Sequence, residues 1–456
     1  MLYRKNIIDF ISWKEKEASA LLVKGARQVG KTSLVEEFIK TSFNNYIEID
    51  FTKNMEALNY LLEIKNYDDF ISRLSLISNV ELNNKEDVIF FDEIQYYYEI
   101  RNNRIERDPT FQTKYIDILT LAKEIVNKGK FRVIFSGSLL GTAVFNINLN
   151  PTGFLKTITM YPMDFEEFIL GCGINSSIID ELKTNFNTKQ PLSESINNLL
   201  LQKFKEYVFI GGMPKAVDGY IKDKSLNLTS MALDSIINGY KDDIIKYTRK
   251  KDRLIILEMF NLLPSEISMK NKKFIKSHLD VPNFKNIDLK DRFLWLKNAG
   301  ISIPIYNVNN PKYPLKISID NKIIKLFSND VGLLSHQLFS IEAIQKALVN
   351  SRDIDLGSLY ENAVGQILLS HNHTPYFCST KKGGEIDFLI EKDMNIIPIE
   401  VKSGNPNKHE LYSHLALDNL LEKHKEIKES YVFGISNIKQ ENEKIMMYPI
   451  YMSNFI

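Results

Sequence analysis

The chain has 456 residues, of which 44% are hydrophobic and 25% charged, with a formal net charge of +1. This length exceeds a single hydrophobic core and predicts two or three domains. The near-neutral charge excludes whole-molecule attraction for nucleic acid, so any such contact needs a local basic patch. The only cysteines, Cys172 and Cys378, exclude a disulfide framework and suggest no thiol zinc site. The N-terminal stretch is broken by charges and offers no signal-peptide apolar block. No apolar run is long enough to cross a bilayer, so a cytoplasmic location is the simplest expectation.

In the first third, short apolar runs alternate with helical patterns. Residues 20–23 read as a buried strand, 31–40 as a helix, and 46–51 as a strand. Residues 55–64 and 67–78 read as helices, and 88–92 and 131–136 as two further buried strands. The polar stretch 99–108 reads as a loop. Residues 151–163 offer a fifth strand ahead of a helix over 164–170. Strands separated by helices predict an α/β fold with a parallel sheet covered on both faces. From about 172 to 250 the pattern is helical, broken at Gly211-Gly212-Met213-Pro214. Over 251–335, helices give way to period-two stretches at 315–319 and 323–326, a pattern that fits a winged-helix segment. A helix over 356–370 then precedes strands at 385–390 and 396–401.

Gly25-Ala26-Arg27-Gln28-Val29-Gly30-Lys31-Thr32 has the spacing of a phosphate loop. Glycines let successive backbone N–H groups point inward at phosphates, and the following helix adds its positive end. In this reading Lys31 reaches the β- and γ-phosphates of ATP, and Thr32 takes a Mg²⁺ position. The strand at 88–92 ends in Asp92-Glu93. Asp92 is placed to hold Mg²⁺ through a water, and Glu93 to act as the general base. The strand at 131–136 leads into Ser136 and Ser138. Either hydroxyl suits a γ-phosphate or lytic-water sensor, or alternatively a helix N-cap.

Near the C-terminus, Glu385 and Asp387 share one strand face, and Glu400 and Lys402 share another. If the strands pair, carboxylates and an amine converge, with Glu361 as a third acid from the preceding helix. Asp387 and Glu400 are candidate metal ligands, and Lys402 a candidate for orienting a metal-activated water. The competing reading is a surface strand with a cross-strand ion pair. Lys246, Arg249, Lys250, Lys251 and Arg253, followed by Lys270, Lys272, Lys273 and Lys276, form basic clusters. They suit phosphate contacts or, more blandly, a solvated face.

The ordered motifs GARQVGKT, FFDEIQ, SGSLLG, YPMDFEEF, GGMPKAV, LYENAV and EIDFLI…IEVKSG resemble those of bacterial and archaeal AAA-type ATPases with a C-terminal restriction-endonuclease-like domain. The resemblance implies a P-loop ATPase domain over 1–170, a helical lid over 171–250, a winged-helix segment over 251–335 and an α/β nuclease-like domain over 336–456. It implies ATPase roles for Lys31, Thr32, Asp92 and Glu93, and nuclease-like roles for Glu361, Asp387, Glu400 and Lys402. ATP, Mg²⁺ and DNA are the expected ligands; homo-oligomerisation is left open. One departure stands out: Gly153-Phe154 occupies a position where many relatives carry an arginine. Arg27, Arg132, Arg249 and Arg253 remain as arginine-finger candidates.

Overall fold

The structure, a computed structural model, describes residues 2–138, 153–269, 272–280, 288–349, 354–380, 384–404 and 415–456. It divides into two compact units. One comprises Arg4–Tyr161 with Asn298–Gly300; the other comprises Met1–Tyr3, Pro162–Lys297 and Ile301–Ile456.

Among the described residues, the first unit has five strands: β1 (Ala20–Gly25), β2 (Asn45–Asp50), β3 (Asp87–Asp92), β4 (Arg132–Gly137) and β5 (Leu155–Met160). They lie in the order β2-β3-β4-β1-β5, and every neighbouring pair is parallel. Every residue of β3 is buried, as expected of a strand covered on both faces. Because β4 is inserted between β1 and β3, the carboxyl ends of these three strands stand side by side. The register pairs Val23 with Ser136, and Phe91 with Phe135. Below this edge the rings of Phe51, Phe91 and Phe135 stack in sequence at 5.8 and 5.4 Å.

Residues 99–107 are not a loop but most of the helix Ile94–Arg107, and Asp108 follows it as an extended cap. Their polarity misleads because the arginines bury their stems and find partners. Arg101 donates to the Tyr115 carbonyl at 2.6 Å, and Arg104 pairs with Glu63 at 3.0 Å. Both guanidinium groups lie over the Phe111 ring, at 5.5 and 5.7 Å.

In the second unit, Asp164 and Glu167 form a capping box that starts the helix Phe165–Gly171. The helix Glu194–Ile210 stops at Gly211, whose φ is +79°, and Pro214 begins the next helix. The break at 211–214 is a packing device. A Cβ on Gly212 would lie 2.0 Å from the Met163 carbonyl oxygen. The Gly212 N–H donates to buried Asp330 at 2.6 Å, and Asp330 also accepts the Leu333 N–H at 3.1 Å. Burial pushes the Asp330 carboxyl up to about 6 despite these donors.

Among the described residues, the unit's sheet has eight strands: β6 (Ser302–Val308), β7 (Ile319–Ser328), β8 (Tyr376–Thr380), β9 (Gly384–Lys392), β10 (Asn395–Val401), β11 (Ser430–Gly434), β12 (Lys439–Gln440) and β13 (Ile445–Pro449). Their order is β12-β13-β11-β10-β9-β8-β6-β7. The segment expected as a winged helix therefore lies in the same compact unit as the C-terminal strands. Its antiparallel β6–β7 hairpin joins their sheet through the β6–β8 pair at Asn307 and Phe377. Strand β6 is buried along nearly its whole length and needs cover on both faces. Residues 315–318 are a short 3-10 turn, Leu315–Ser318, rather than the start of a strand. There the Leu315 N–H donates to Glu391 at 2.5 Å. No helix of the described residues is long and apolar enough to cross a membrane.

Gly212→Ala should lower stability by about 3 kcal/mol or more, since Met163 backbone has to move to admit the methyl group. Chemical denaturation measures this, and a loss below about 1 kcal/mol would contradict the backbone-on-backbone packing.

Candidate functional site

The loop 25–32 lies between β1 and the helix Lys31–Ser42. Gly25, Gln28 and Gly30 take φ values of +157°, +63° and +89°, which bend the chain into a cradle. A Cβ on Gly25 would stand 2.2 Å from the Met160 carbonyl oxygen, so glycine is required at this close approach. No side chain caps the helix at Gly30. Its first N–H groups thus suit an anion. The Lys31 ammonium donates to the carbonyls of Gly25 at 3.1 Å and Ala26 at 2.8 Å.

Asp92 ends β3, and 98% of its surface is buried. One carboxylate oxygen accepts the Thr32 hydroxyl at 2.7 Å, and the other accepts the Ser136 hydroxyl. One side chain thereby links the phosphate loop, β3 and β4. Its oxygens and the Thr32 hydroxyl are hard donors of the kind Mg²⁺ takes. Glu93 follows at φ +52°, a left-handed conformation uncommon outside glycine, and starts the helix Ile94–Arg107. Burial raises the Glu93 carboxyl above the usual carboxylate range; Lys31 opposes that shift, and Asp92 adds to it. The Gln95 amide donates to Glu93 and, at 3.2 Å, to Ser138. Both serines read as sensors are therefore at the site, Ser136 on Asp92 and Ser138 on the Glu93 side.

Sequence reading missed Gln95 and Arg4. Buried Arg4 donates to the Val29 carbonyl of the loop at 2.5 Å and to the Tyr161 carbonyl at 2.6 Å. The first contact spans 25 residues and the second 157, beyond any local motif. Arg132 is removed from the arginine-finger candidates. Its guanidinium donates to the carbonyls of Glu17 and Lys14 and lies over the Trp13 ring.

In the second unit, β9 and β10 pair antiparallel with Phe388 opposite Ile399, which brings Asp387 and Glu400 together. Asp387 accepts the Val401 N–H at 2.8 Å, and Lys402 donates to Glu400 at 2.7 Å. Glu361, buried on the helix Gly357–Ser370, joins them. Three further lysines enter the group. Lys325, fully buried on β7, lies 2.7 Å from Glu385 and 3.8 Å from Glu361. Lys272 bonds to Glu361, and Lys273 lies 3.3 Å from Glu385. Lys272 and Lys273 thus turn inward to carboxylates instead of offering the outward phosphate contacts expected of them; Lys270 lies outside the described residues.

Burial, then the Asp387 charge, pushes the Glu400 carboxyl up to about 8, against Lys402. The same two causes raise Glu361. Burial also acts upward on Glu385, but Lys325 and Lys273 outweigh it and hold that carboxyl low. Among the described residues, no group of three or more His, Cys, Asp or Glu side chains is disposed to hold a metal. Two buried carboxylate oxygens, Oε2 of Glu361 and Oε1 of Glu400, have no hydrogen-bond partner. Oxygens of this kind can accept a cation.

Residues 17–169 match the family described as an AAA domain. Residues 201–343 and 356–452 match two domains of unknown function, DUF8612 and DUF4143. No curated protein matches the chain. Among solved structures, the chain is similar to the Walker-type ATPase PABY2304 of Pyrococcus abyssi, at 14% identity and a TM-score of 0.43, covering 74% of this chain and 96% of that one. It is also similar to PCH-2 of C. elegans, at 12% identity and a TM-score of 0.24, covering 65% of this chain and 69% of that one. A third similarity is to a RuvB variant of Thermotoga maritima, at 13% identity and a TM-score of 0.27, covering 68% of this chain and 90% of that one. The AAA-domain match thus falls on the first unit and on the opening residues of the second.

Arg4→Met should weaken ATP binding roughly tenfold or more, because two hydrogen bonds from a charged donor brace the loop and its neighbouring strand. Titration with a fluorescent ATP analogue reads this. Wild-type affinity in the folded variant would show that the loop holds its shape without Arg4.

Proposed function

We propose that this chain hydrolyses ATP with Mg²⁺ and uses its nucleotide state to control a nucleic-acid-directed C-terminal unit. The observation that carries the ATPase half is buried Asp92, bonded to both Thr32 and Ser136, with Glu93 next in the chain. The loop N–H groups of Gly25, Ala26, Arg27, Gln28, Val29, Gly30, Lys31 and Thr32 receive the phosphates, and Lys31 leaves its loop carbonyls for the β- and γ-oxygens. Thr32 would hold Mg²⁺ directly and Asp92 through a water; the ion supplies neutralisation of charge on the phosphates.

Glu93 orients the attacking water and accepts its proton while the γ-phosphoryl bond to ADP breaks. Gln95 fixes that carboxylate and ties it to Ser138. Ser136 holds Asp92 in register with the loop.

For the C-terminal half, the support is the convergence of Glu361, Asp387, Glu400 and Lys402, the residue types used in metal-dependent phosphodiester cleavage. In this reading Asp387 and Glu400 would hold Mg²⁺, and Lys402 would orient the water. A second reading is a unit that binds nucleic acid or a protein partner without cutting. It is favoured by the matching of Glu361, Glu385, Asp387 and Glu400 with Lys272, Lys273, Lys325 and Lys402. Such a network is complete in charge without a metal.

Glu93→Gln should retain ATP binding and slow hydrolysis by about 10²- to 10⁴-fold in a phosphate-release assay. Because the Glu93 carboxyl is raised from 4.5, the unprotonated base is lost as pH falls through a higher value. The acid limb of the wild-type rate should therefore lie above 4.5 and vanish in the variant. Undiminished turnover by Glu93→Gln would overturn the assignment. For the second half, DNA is incubated with Mg²⁺ or Mn²⁺, with and without ATP, beside Lys402→Ala. Cutting by wild type alone supports the nuclease; no cutting with ATP turnover intact supports the binding reading.

A further inference from the structure

We propose that the tripeptide Asn298–Gly300 senses the phosphate loop: Gly300 rests on Ala26 and passes a change in that loop into the chain on either side. The proposal rests on reading the loop as the ATP site and adds how nucleotide state leaves it.

The first unit is not one continuous stretch. After Tyr161 the chain returns to it at Asn298–Gly300. The reason is a close approach to the phosphate loop. A Cβ on Gly300 would stand 3.1 Å from both the Cβ and the nitrogen of Ala26, and 3.2 Å from its Cα. The Gly300 backbone therefore lies directly on the loop, with no room for a side chain between them. Ala26 is correspondingly buried.

A separate demand fixes the conformation of Gly300. Its φ of +70° ends the helix Lys290–Asn298, and the Ile301 N–H donates back to the Leu296 carbonyl at 3.0 Å. A helix end of this kind calls for glycine but not for a loop beneath it. Gly129 shows the difference. It ends the helix Ile118–Lys128 at φ +60°, yet a Cβ there would meet nothing nearer than Lys85 Cε at 3.7 Å. The crowding at Gly300 is thus a property of the loop contact and not of the helix end.

Ala26 is also a loop residue whose bonding changes when phosphates arrive. Its carbonyl accepts the Lys31 ammonium at 2.8 Å, and phosphate oxygens compete for that ammonium. Once Lys31 leaves, the Ala26 peptide is free to turn, and the tightly packed Gly300 backbone has to follow. Beyond Gly300 the chain runs through Ile301 into β6. That strand pairs Ile305 with Lys325, the lysine that meets Glu385 and Glu361. The backbone therefore runs unbroken from the loop contact to a strand beside the charged cluster.

The test uses the full chain with a non-hydrolysable ATP analogue and Mg²⁺. Gly300→Ala should weaken analogue binding roughly tenfold, because the added methyl group presses on the loop backbone. Gly129→Ala carries the same left-handed strain without that crowding and should bind as the wild type does. If Gly300→Ala fails to fold, Gly300→Asn tolerates the conformation while keeping the Cβ, with the same readout. In the wild type, bound analogue should change amide hydrogen exchange over residues 299–303, which include the Ile301 N–H. Equal affinities in the three proteins, or the same exchange with and without bound analogue, would overturn the proposal while leaving the ATP site standing. No binding of the analogue by the wild type would overturn both.

Discussion

A buried carboxylate must find partners for both of its oxygens, and Asp92 finds them on two different elements. Thr32 on the loop helix supplies one, and Ser136 on the adjacent strand supplies the other. This bonding is available only because β4 lies between β1 and β3, so that loop, acid and serine share one edge of the sheet. The stacked rings of Phe51, Phe91 and Phe135 keep β3 and β4 in register beneath it. Glu93, one residue beyond Asp92, inherits its position from this arrangement. Its left-handed backbone turns the chain from strand into helix while leaving its carboxylate half-buried near Lys31.

Much of this edge was legible in the sequence because its chemistry is local. A phosphate loop needs its glycines and lysine at fixed spacing, and a strand ending in paired acids marks itself by its apolar run. What was not legible lies at long separation. Arg4 braces the loop from 25 residues away and ties it to Tyr161, 157 residues from Arg4, and no short motif records such contacts. Gln95 stood in the motif FFDEIQ, yet only the turn at Glu93 shows that its amide reaches back to that carboxylate. The helix Ile94–Arg107 was obscured for another reason: Arg101 and Arg104 look solvated in sequence but lie over Phe111.

The C-terminal cluster shows the same boundary. The two strands and the residues sharing each face were readable from alternation, but their pairing stood only as a condition, and it is the β9–β10 ladder that brings Asp387 to Glu400. The lysines from elsewhere were not. Lys325 carried a signal, being a lone charge among Ile323, Ile324, Leu326 and Phe327, and a lysine within such a run demands a buried partner. Lys272 and Lys273 carried none, because a run of lysines does not say which way it faces. Inward-facing lysines change the chemistry available: they bring carboxylates together that would otherwise repel, and they compete with any metal for the same oxygens.

The central claim is that Asp92 and Thr32 form the place where a nucleotide-bound Mg²⁺ is held. The most direct measurement is ATP affinity with and without Mg²⁺, by titration, in wild type and in Asp92→Asn. The account predicts that Mg²⁺ tightens binding to the wild type and has little effect on the variant, with both proteins folded. An equal Mg²⁺ response in the two proteins would contradict it and place the ion elsewhere.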